Sequence, residues 1–177
     1  MENVNLKSHV IKYGLILGAI GIIITFLIYI VDITLMTQWW LGLLMLAINI
    51  GIIVYAGIDL RKNNGGYLSF KNAFLSTFLI FLVAGIIGTL VNLLMFYVID
   101  PELPGRLTDA TVETTASMMQ KFGASQEQID LEIEKVKQRE PYSAKSTLMG
   151  FGIGIIIYAI LALIIGAIIK RKRPDFV

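Results

Sequence analysis

The sequence predicts an all-α membrane protein: four transmembrane helices, with an extracytoplasmic helical hairpin between the third and the fourth. Three observations predict it. Of the 177 residues 56% are hydrophobic and 16% charged, too apolar for an ordinary soluble domain. Four uncharged runs, at about residues 13–31, 39–58, 73–99 and 147–169, are each long enough at about 1.5 Å per residue to cross a hydrocarbon core of about 30 Å. One polar stretch, residues 100–145, separates the last two runs. The chain reads as a single membrane domain, 1–177, carrying that stretch as an insertion.

The first run follows Lys7, His9 and Lys12 and has Thr25 as its main polar interruption. It reads as an uncleaved anchor, because a cleaved signal peptide has an apolar core of about 7–15 residues followed by small residues. Tyr29-Ile30-Val31-Asp32 supplies none. Asp32 to Gln38 carries one acid and no base, and Trp39 and Trp40 open the second run as an interfacial aromatic belt. Asp59, Arg61 and Lys62 end that run. Asn63-Asn64-Gly65-Gly66 suits the positive φ of a tight turn, and Ser69 is placed to cap the third helix. The third run exceeds one perpendicular crossing, which predicts tilt or an end emerging into water, and Asp100-Pro101 stops it.

Within residues 100–145, Thr108 is placed to cap a helix reaching about Phe122, with Val112, Ala116 and Met119 on one face and Gly123 just past its end. Ser125-Gln126-Glu127-Gln128 is a capping box for a second helix. There Ile129, Ile133 and Val136 repeat the same spacing until Pro141. Two narrow apolar stripes facing each other make a hairpin.

Charge predicts the threading. With both termini and the loop between the second and third runs on one side, that side holds nine basic and three acidic residues, against six basic and ten acidic on the other. Arg61, Lys62, Lys71, Lys170, Arg171, Lys172 and Arg173 lie in short segments beside span ends, where the positive-inside bias acts. The expectation is a multi-pass protein of the cell inner membrane with both termini cytoplasmic. The same residues would meet anionic lipid headgroups at the inner face, at about 1 kcal/mol each. A net charge of only +2 suggests no nucleic acid partner, and the absence of cysteine removes disulfides and thiolate metal sites.

The order of these features resembles the bacterial integral-membrane domain of unknown function 4199. The resemblance is carried by Gly65-Gly66-Tyr67-Leu68-Ser69-Phe70 with Ala73-Phe74, and by Asp100-Pro101-Glu102 after the third run. Gly123-Ala124-Ser125-Gln126-Glu127-Gln128-Ile129 before a glycine-rich last run completes it. It covers nearly the whole chain and implies a four-helix inner-membrane protein, with no activity that passes to any residue.

The four runs hold no ionisable acid, base or histidine, the groups on which proton relays and ion-coupled carriers depend. Asn49 lies near the middle of the second run, with Thr25 and Thr89 within about 5 Å of its depth. They read either as a polar patch on a substrate path or, preferably, as interhelical hydrogen bonds of about 0.6 kcal/mol. Asn92, about 9 Å further outward, reads as a separate interfacial contact. Small residues recur four apart: Gly14 and Gly18, Ala47 and Gly51, Ala84 and Gly88, Gly150 and Gly154, Ala162 and Gly166. Such pairs admit close helix packing within one bundle or, where Gly150, Gly152 and Gly154 crowd together, a homodimer through the last span.

His9 stands at the inner interface without a second histidine or a cysteine to complete a metal set, and no catalytic or cofactor-binding constellation accompanies it. The acidic run from Glu127 to Glu134 lacks the glycine-bearing loop of a calcium site. These residues point to a non-enzymatic integral membrane protein without a cofactor, whose outer hairpin offers a surface to a protein partner or a regulatory contact. The alternative is a small transporter or oligomeric pore with a polar path near Asn49.

Overall fold

The computed structural model describes residues 5–172. They form six α-helices: α1 (Leu6–Val31), α2 (Trp39–Asn63), α3 (Phe70–Leu94), α4 (Leu103–Lys121), α5 (Gln126–Arg139) and α6 (Ala144–Ile169). Helices α1, α2, α3 and α6 are long and apolar enough to span a membrane, which makes this a multi-pass membrane protein. The shorter α4 and α5 lie between the third and fourth spans and pack on each other.

The caps are local chemistry. Asn5 accepts from the Lys7 amide at 3.1 Å, so α1 starts two turns or so before the apolar run: Lys7 and Lys12 point outward and do not interrupt it. At the end of α2, the Gly65 amide donates to Lys62 and the Gly66 amide to Arg61, a Schellman pair that needs the φ of +70° and +87° found at these glycines. Ser69 caps α3 through the Asn72 amide, and Leu68 pairs with Arg171 through two 2.9 Å backbone bonds that tie the end of α6 to this turn. Ser125 and Gln128 form the capping box of α5 as expected. Thr108 does not cap α4. The helix begins at Leu103, because Pro104 fits a first turn whose N–H needs no partner, and Thr108 lies inside it, donating to the Pro104 carbonyl at 2.8 Å.

Helix α3 is central, flanked by α1 and α6. A Cβ on Gly14 would fall 2.7 Å from Val83 and one on Gly18 2.8 Å from Ile87, so these glycines set the α1–α3 distance. On the other side Gly166 meets the Phe74 backbone, and Phe81 stacks on Tyr158 at 5.1 Å. The buried residues of all four spans fall in the halves nearest the chain termini: His9 to Gly18, Ile53 to Leu60, Ala73 to Phe81, and Ala162 to Ile169. That end of the bundle is closed. At the other end a second apolar cluster forms where Met95, Phe96, Leu103 and Leu107 pack with Phe26, Tyr29 and Tyr142.

Candidate functional site

Between the two clusters lies a cavity of about 540 Å³, within the range of small-molecule sites. All four spans line it. It opens because α2 buries side chains only from Ile53 to Leu60, leaving the half nearer Trp39 standing off its neighbours. The floor is Leu17, Phe81, Leu161 and the Tyr158 ring, and the roof is Leu103, Leu107 and Tyr142. Between them the wall carries Thr25, Asn49, Thr89 and Asn92, with Ser146 and Thr147 near the roof.

The structure therefore brings Thr25, Asn49, Thr89 and Asn92 to one place, and they do not bond one another there. Asn49 donates to the Met45 carbonyl of its own helix at 2.6 Å. Thr25, Thr89, Asn92 and Thr147 have no side-chain hydrogen bond to any described residue, although other helical threonines, such as Thr108 and Thr111, satisfy themselves on the preceding turn. Interhelical bonding among these residues is thus replaced by a polar band facing open space. A hydroxyl or amide at this depth gains by meeting a polar partner, which only water or a bound molecule can supply.

The glycines divide into two kinds. Gly14 and Gly18 hold α1 against α3. A Cβ at Gly21, Gly88 or Gly150 would meet nothing within 4 Å, and all three line the cavity. Gly154 faces Tyr158 of its own helix.

Hydrogen bonds fasten the roof. Tyr29 donates to Asp100 at 2.9 Å, Asp100 pairs with Arg106, Thr37 meets Thr114 at 3.0 Å, and Thr111 meets Tyr142 at 2.9 Å. No local pattern signals these contacts, since the Tyr29 and Asp100 partners stand 71 residues apart.

At the closed end a second polar group appears that the apolar runs concealed. His9 is not an exposed interfacial residue: it is buried, with Nδ1 3.8 Å from Asp59, which also accepts from the Tyr13 hydroxyl at 2.9 Å and from Asn63 at 3.3 Å. His9 and Asp59 are drawn in because α1 and α2 continue past the ends of their apolar runs. Among the described residues no three acidic or histidine side chains converge as a metal set.

Around this end stand the basic residues. Arg61 donates to the last carbonyl of α6, at Ile169, at 3.4 Å, and Lys170 lies over the Phe70 ring. Lys62, Lys71, Arg171 and Lys172 are exposed, and Arg173 lies outside the described residues.

A family model described as a protein of unknown function (DUF4199) matches residues 12–171, from the first turns of α1 to the bridge that closes α6. No curated protein matches the chain. No solved structure matches it either. With nearly all of the four spans, the roof and the cavity inside the matched region, the chain belongs to the DUF4199 family.

Proposed function

We propose that this is a non-catalytic protein of the bacterial inner membrane that binds a small molecule in the cavity between its four spans. One observation carries the reading: Thr25, Thr89, Asn92 and Thr147 face open space in an apolar bundle without hydrogen-bond partners. These hydroxyls and amides line the cavity wall with hydrogen-bonding capacity unused, so the site favours an occupant with polar groups of its own. The termini are cytoplasmic in this reading, because Lys7, Lys12, Arg61, Lys62, Lys71 and Lys170 surround the closed end. The exposed ammonium groups of the lysines among them meet anionic headgroups there, and α4 roofs the cavity from outside.

The test is retention of a small molecule by the full chain taken from its native membrane into lipid nanodiscs. Native mass spectrometry should find it on the wild type and lose it on Gly88→Leu, which sends a side chain into the cavity from a position where a Cβ meets nothing within 4 Å. Equal retention by both would sink the proposal.

Transport is a second reading, favoured by all four spans lining the cavity. Solute would cross when the seal of Tyr13, Leu17, Ile53 and Ile80 parts. Flux into proteoliposomes that Asn49→Leu removes would support it, and binding without flux would reject it.

The hairpin also offers a protein partner a surface. Phe122 is 86% exposed and Leu131 52%. Crosslinking from the native membrane should capture a partner that Phe122→Ser with Leu131→Ser loses; unchanged capture would reject the surface.

A further inference from the structure

Resting on the binding reading above, we infer that the cavity takes an uncharged amphiphile, its hydrocarbon tail at the closed end and its hydroxyl- or amide-bearing head at the polar band. The lining decides each half of this. Among the described residues no Asp, Glu, Lys, Arg or His lines the cavity. A carboxylate, phosphate or ammonium drawn into it would lie unpaired in an apolar surround, which is the costliest burial available. Asp100 and Arg106, at the start of the roof helix, are already paired with each other.

The polar band suits neutral groups. Threonine hydroxyls and asparagine amides each donate and accept, so Thr25, Thr89 and Asn92 complement a hydroxyl, an ester or an amide, and Asn49 keeps its Oδ1 free after its bond to Met45. Below the band the wall changes character. From Thr89 down α3 to Phe81 is about 12 Å at about 1.5 Å per residue, a length lined by small and apolar residues that end on Leu17, Leu161 and the stacked pair Phe81 and Tyr158. One group relieves this, the Tyr158 hydroxyl beside Gly85, which has no partner and lies part-way down. A purely polar solute would leave the floor without contacts, and a pure hydrocarbon would leave the band without partners. An amphiphile satisfies both. Entry runs along the bilayer, past the half of α2 that stands off the bundle.

The experiment uses the full chain in nanodiscs and two photoreactive probes of the same chain length, each with a diazirine at the tail end: a monoacylglycerol and the corresponding fatty acid. Adducts are mapped by peptide mass spectrometry. The monoacylglycerol should label Leu17, Phe81 or Leu161 at least about tenfold more than the ionised fatty acid. Asn49→Leu together with Thr89→Val should lower its labelling by about tenfold, the equivalent of about one hydrogen bond to a site otherwise left unpaired. Gly88→Leu, or Gly21→Leu from the facing wall, should abolish labelling by either probe. Equal labelling by the two probes, lost in the glycine variants, overturns the uncharged class and leaves the binding site standing. Labelling that neither glycine variant reduces, or none at the floor with either probe, overturns both readings.

Discussion

Gly14 and Val83 approach so closely that a Cβ on the glycine would lie 2.7 Å from the valine Cβ. Within a bilayer, helices gain little from hiding apolar surface from one another, so close packing of this kind contributes to α1–α3 association. Gly14→Ala should destabilise the bundle by about 1–3 kcal/mol through overpacking, whereas Gly88→Ala, facing open space, should change stability by less than about 0.5 kcal/mol. Unfolding in mixed micelles measures both.

Asp59 anchors α1 to α2 through Tyr13 and stands beside buried His9. Removing the carboxylate leaves the Tyr13 hydroxyl without its acceptor and takes away the polar group beside buried His9. Asp59→Ala should cost about 1–3 kcal/mol in the same assay, and Tyr13→Phe less, since the carboxylate it leaves behind keeps Asn63 as a donor and is partly exposed to solvent. Equal, negligible effects would mean that the two helices are held by packing alone.

The roof is fastened to α1 through Tyr29 and Asp100. Tyr29→Phe should raise hydrogen exchange in Leu103–Lys121 while leaving the backbone from Phe70 to Phe81 protected. A uniform rise across the spans would show that α4 contributes to the whole bundle and does not act as a separate cover.

Helix α5 buries only Ile129 and relies on its start signal. Ser125→Ala removes one half of the capping box and should cost about 1 kcal/mol, read as faster exchange over Gln126–Arg139 with the spans unaffected.

What the sequence shows and what it hides follow one division. Charge-free runs and caps are local, so four spans, the caps at Ser69 and Ser125 and the turn at Gly123 can be read directly. Helix starts mislead where charge or proline looks like a break: α1 runs through Lys7 and Lys12, and α4 begins on Pro104's turn and passes Thr108. Residues brought together by packing stay hidden. The depths of Thr25, Asn49 and Thr89 follow from counting along each run, but whether they touch depends on how far α2 stands off its neighbours; it packs closely at Gly57 against Ile169, and the half carrying Asn49 buries no side chain. His9 and Asp59 meet only because helices from distant parts of the chain are in that register.

The account rests on a bundle closed at the termini and hollow towards the hairpin. Because the chain has no cysteine, single cysteines report on this without background. Thr89→Cys faces the cavity, and Thr77→Cys replaces a residue 1% exposed within the closed half of the same helix. In nanodiscs open to a small methanethiosulfonate reagent on both faces, Thr89→Cys should react readily and Thr77→Cys should stay protected. Protection of both, or equal reaction of both, would contradict the account.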